Sequence, residues 1–60
     1  MNLQVGYVIV IRNSSGLMVR DVESFKGPDA CVKADKLIRK LNKYEPLPAG
    51  QYYDLTIFKY

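Results

Sequence analysis

The sequence predicts an α+β fold: a single compact ββαβ domain spanning residues 1–60, with a three-stranded antiparallel sheet in the order 2-1-3 and one amphipathic helix packed on one face. Three observations predict it. An apolar, β-branched run is followed by a hairpin turn and a second extended run. A stretch of helical period lies between two Gly/Pro breaks. The last ten residues alternate in direction as a strand does. With 48% hydrophobic and 25% charged residues, the chain is apolar enough to fold, as a disordered segment is not.

Leu3 to Arg12 is rich in Val and Ile and too short for a buried helix of ordinary length, so it reads as strand one. Asn13-Ser14-Ser15-Gly16 has Asn first and Gly fourth, the pattern of a type I turn closed by a G1 bulge. Leu17 to Phe25 is then strand two. Asn13 faces Leu17, Ile11 faces Val19, Val8 faces Val22 and Ile9 faces Asp21. The last pairing sets a carboxylate against an apolar residue, so a register one residue away stays open. Lys26-Gly27-Pro28 breaks the strand, with Gly27 as the expected N-cap, Pro28 in the first helical position and Asp29 at the positive end of the helix dipole. Ala30, Ala34, Leu37, Ile38, Leu41 and Tyr44 then recur on one helical face, with Cys31 at its edge. Glu45-Pro46-Leu47-Pro48-Ala49-Gly50 ends the helix, because a residue before Pro is driven from the α region. In Gln51 to Tyr60 one face carries Tyr53, Leu55 and Ile57, and the other Tyr52, Asp54, Thr56, Phe58 and Tyr60.

Composition narrows the function. Sixty residues bury little core, and the chain has no His, the usual general base near neutral pH, so an enzyme is not expected. No catalytic residue, metal site, cofactor or small-molecule substrate is expected either. One cysteine makes no intrachain disulfide, and Met1-Asn2-Leu3-Gln4 lacks the basic start of a signal peptide. A cytoplasmic protein without a membrane segment is the expectation.

Two features point to partners. Strand one offers apolar residues to both faces while one helix covers one of them. Tyr52, Phe58 and Tyr60 lie on the face away from the helix, as anchors for a larger protein partner or a second copy in a homodimer. The net charge of +3 is concentrated in the helix, where Lys33, Lys36, Lys40 and Lys43 form a stripe with Arg39 beside it. That stripe suits an electrostatic contact with acidic protein or nucleic acid. It faces away from the aromatics, whereas a single-strand binder puts rings and cations in one groove, so nucleic acid is the second choice. Asp21 and Glu23, two apart on a strand, share a face but offer too few oxygens for a cation cage.

The order of elements is similar to that of the N-terminal part of HicB-type antitoxins in size and topology. The Gly-Asp-Thr segment and acidic helix of that family are replaced here by Lys26-Gly27-Pro28-Asp29 and a basic helix. That departure argues against an antitoxin. The size and topology are also similar to those of some small phage proteins that inhibit host enzymes, and with no catalytic residue in a chain this short the expectation is a non-enzymatic protein-binding module, an accessory protein of a phage or mobile element that inhibits or tethers a larger host protein.

Overall fold

The run Val8-Ile9-Val10-Ile11 is the most apolar in the chain, and burying it on both sides requires a strand paired at both edges. The computed structural model, which describes residues 4–60, satisfies this with β1 (Val5–Asn13), β2 (Met18–Phe25), α1 (Ala30–Tyr44) and β3 (Gln51–Lys59). The sheet is antiparallel in the order β2-β1-β3, so β1 is central as the sequence predicts. Leu3, which the sequence assigns to strand one, lies outside the described residues.

The hairpin forms as expected. Gly16 N–H donates to Asn13 O at 2.9 Å and Asn13 N–H to Leu17 O at 3.0 Å, with Gly16 at φ 83°, a backbone state that suits Gly. Asn13 Oδ1 also accepts the N–H groups of Ser15 and Leu17, at 2.9 and 3.1 Å. Beyond the turn the expected register is lost. Arg12 pairs with Met18, but a shift follows between Ile11 and Arg12 and another between Ile9 and Val10, giving Ile11↔Arg20, Val10↔Asp21 and Ile9↔Glu23. The two shifts leave Val19 and Val22 as extra residues of β2. A bulge of this kind re-aims neighbouring side chains: Val22, expected opposite Val8, packs instead against the core on the helix side, where Phe25 also lies.

The β1–β3 register runs without interruption from Val5↔Lys59 to Asn13↔Gln51. Tyr53 and Leu55 pack with Tyr7, Ile9, Ala34, Leu37, Ile38 and Leu41 beneath α1, whereas Tyr52, Asp54, Thr56, Phe58 and Tyr60 belong to the opposite face. Asp29, not Gly27, is the N-cap; Gly27 instead turns the chain at φ 97°, with Ala30 N–H donating to its carbonyl. At the other end Glu45 N–H donates to Leu41 O at 2.8 Å before Pro46 stops the helix. Tyr44 does not join the core: it is three residues past Leu41, about 60° round the helix, and is 69% exposed.

The helix is shorter than the sheet it covers, about 22 Å against about 30 Å. Lys33, Lys36, Leu37 and Lys40 on one side of it line a groove with Glu23 and Phe25 of β2, while its C-cap is tied to β3 by Tyr53 Oη donating to Glu45 O at 2.7 Å. It therefore crosses from β2 toward β3. The hairpin end is uncovered, and Ile57, expected in the core, is 59% exposed because the helix passes it on the β2 side.

Candidate functional site

The helix-free face is less bare than the apolar count implies. Val10 is 1% exposed although no helix lies over it. It sits in the central strand between Asp21 and Asp54, beside Arg12, whose Nε donates to Asp54 Oδ2 at 2.8 Å and whose Nη1 donates to Gly16 O at 2.9 Å. At the far end Phe58 lies directly over Gly6, where a Cβ would come within 2.4 Å of Phe58 Cζ and 2.9 Å of Phe25 O. The missing side chain at Gly6 is the seat of the Phe58 ring.

The three predicted aromatic anchors therefore differ. Phe58 is half-buried and packs against Tyr60, with ring centroids 5.8 Å apart. Tyr60 Oη accepts Gly27 N–H at 3.2 Å, and Lys26 Nζ stands 4.7 Å from the Tyr60 ring centroid. These two rings join the end of the sheet to the turn before α1. Tyr52 is exposed at the other end of β3, opposite Arg12, about 20 Å from Phe58 along the strand. The fold does not bring Tyr52 to the other two.

The basic residues divide as well. Lys33, Lys36 and Lys40 line a groove of about 330 Å³ between α1 and β2, with Phe25 and Leu37 as its apolar part and Glu23 on its strand side. Arg39 Nε pairs with Asp35 Oδ2 at 3.2 Å, one helical turn away, and Lys43 Nζ stands 5.2 Å from the Tyr44 ring centroid. Three of the five predicted cations thus share a site, and it adjoins the sheet edge rather than pointing wholly away from the sheet.

Sequence reasoning missed Glu23 and Phe25 in this groove. The bulge at Val22 separates Asp21, opposite Val10, from Glu23, opposite Ile9, so the two carboxylates lie on opposite faces. The misfit of Ile9 against Asp21 was the available signal. Leu17, Met18 and Val19 were missed in a similar way. They are 66%, 57% and 48% exposed because the hairpin extends past the helix. Cys31 is exposed on the helix, and among the described residues no cluster of His, Cys, Asp and Glu approaches a metal-ligand set. No helix among them is long and apolar enough to cross a membrane.

No protein-family model matches the chain, and neither the curated proteins nor the solved structures contain a significant match.

Proposed function

We propose that the protein is a non-enzymatic protein-binding module whose groove between α1 and β2 takes an acidic segment of a larger protein. The observation that carries this reading is the junction of an apolar floor, Phe25 and Leu37, with three lysines, Lys33, Lys36 and Lys40. An apolar side chain entering the groove would be removed from water, and carboxylates on either side of it would meet ammonium groups. Glu23 sets the specificity, since it repels an uninterrupted run of phosphates or carboxylates and favours an apolar residue at the centre. The groove contains one ring, Phe25, while Tyr52, Phe58 and Tyr60 sit on the opposite face of the sheet, which supports a protein ligand over stacked bases.

The test is titration of a synthetic Asp/Glu-rich peptide carrying one central Leu or Phe. Binding is expected to weaken with added salt, and the double change Lys36→Glu and Lys40→Glu is expected to lower affinity about ten-fold or more. Both lysines are exposed, so helical circular dichroism should persist. Equal affinity in the parent and the double variant would overturn the reading.

A further inference from the structure

We propose that two copies of the chain join through the outer edge of β3, forming a continuous six-stranded antiparallel sheet about a two-fold axis at Leu55. The inference is independent of the lysine groove, which lies on the other side of the molecule.

The hydrogen-bond phase of β3 determines what this edge offers. Gln4 and Tyr60 exchange both backbone hydrogen bonds, each at 3.0 Å, in the same register as the rest of the β1–β3 ladder. Antiparallel pairs alternate between bonded and non-bonded, so Tyr52, Asp54, Thr56 and Phe58 also bond inward to β1. Gln51, Tyr53, Leu55, Ile57 and Lys59 direct their N–H and C=O groups outward. Leu55 N–H shows the outcome: with no strand beside it, it donates to Asp54 Oδ1 at 2.9 Å. An edge of this length is normally broken by bulges, prolines or inward charge. The β2 edge has two bulges and carries Arg20, Asp21 and Glu23, whereas β3 is unbulged for nine residues.

The occupant follows from the sequence of that edge, which is complementary to itself. With Leu55 opposite Leu55 of a second copy, Tyr53 faces Ile57, Gln51 faces Lys59, Tyr52 faces Phe58 and Asp54 faces Thr56. No like charges oppose each other, and all nine residues pair. A centre at Asp54 would set two carboxylates together, and one at Thr56 would set Asp54 against Phe58. The pairing at Leu55 also corrects two defects of the single chain. Ile57, which the helix leaves bare, meets Tyr53 of the second copy, the residue held by the end of that copy's helix. Tyr52, isolated from Phe58 and Tyr60 within one chain, comes against Phe58 of the other. Lys33, Lys36 and Lys40 lie on the β2 side, so the two positive groups do not face each other across the join.

Sedimentation or light scattering over a wide concentration range tests this. A mass twice the 6.9 kDa of one chain is expected at high concentration. Ile57→Lys, at an exposed site, should weaken association about ten-fold or more with circular dichroism unchanged. A synthetic chain N-methylated at the Ile57 amide should do the same while leaving every side chain and the β1 ladder intact, and it decides the matter should the lysine variant unfold. A monomer at every concentration, or a dimer indifferent to the N-methyl group, overturns the proposal. Neither result bears on the acidic-peptide titration, which the N-methylated chain should pass unchanged.

Discussion

At the residue scale, Gly6 and Tyr53 show how single atoms organise this small core. Gly6 is needed because Phe58 occupies the space of its side chain, and Phe25 O blocks the other approach. Gly6→Ala should cost about 2 kcal/mol in urea denaturation, as overpacking at an inflexible site does. Phe58→Leu in the same chain should recover only part of that, because the clash with the backbone remains. Phe58→Asp, which would probe a free binding face, removes a packed ring here and should lower stability. Tyr53 Oη donates a side-chain hydrogen bond from β3 to the Glu45 carbonyl at the end of α1. Tyr53→Phe should therefore cost about 1 kcal/mol and speed amide exchange at Glu45, whose N–H closes the last turn.

At the element scale, the hairpin is controlled from Asn13. Its side chain accepts two backbone N–H groups and its own backbone closes the turn, so Asn13→Ala should destabilise the protein by about 1–2 kcal/mol, measured by thermal unfolding. The turn and its first pair were legible in the sequence because they depend on four local residues. The path of β2 was not. Uninterrupted pairing puts Asp21 and Glu23 together beneath the helix, and the two bulges move Asp21 to the face with Val10 and bring Val22 to the core, while Glu23 and Phe25 keep to the helix side. The helix was legible in extent and inner face, from Ala30 through Leu41, while its N-cap moved from Gly27 to Asp29 because Gly27 is used to turn the chain.

At the scale of the whole molecule, the fully buried hydrophobic side chains among the described residues are few: Ile9, Val10, Ile11, Ala30, Ala34 and, nearly so, Leu41. The radius of gyration is 12.3 Å, against about 10 Å for a compact chain of this length. The difference reflects a sheet longer than its helix. Stability for such a chain is on the order of 3–9 kcal/mol. Ile9→Ala, at a site with 0% exposure in the middle of the core, should cost about 3 kcal/mol, a third or more of that stability, and lower the melting temperature measured by circular dichroism. Pairing through β3 adds stability by mass action, so the melting temperature should rise with protein concentration, and Ile57→Lys should remove that dependence.

The sequence by itself determined the element order, the central place of β1, the face division of β3 and the positive character of α1, because each follows from local pattern and from the burial needs of one apolar run. It identified Lys33, Lys36, Arg39, Lys40 and Lys43 as a stripe, and Tyr52, Phe58 and Tyr60 as residues on the helix-free face. Only the tertiary structure decided which of these meet. The diagonal path of the helix set three lysines beside Phe25 and bared Ile57, the missing Cβ of Gly6 seated Phe58, and the length of β3 kept Tyr52 away from both rings. Such juxtapositions depend on bulges and on a crossing angle, which arise from packing the whole chain at once and leave no periodic trace along it.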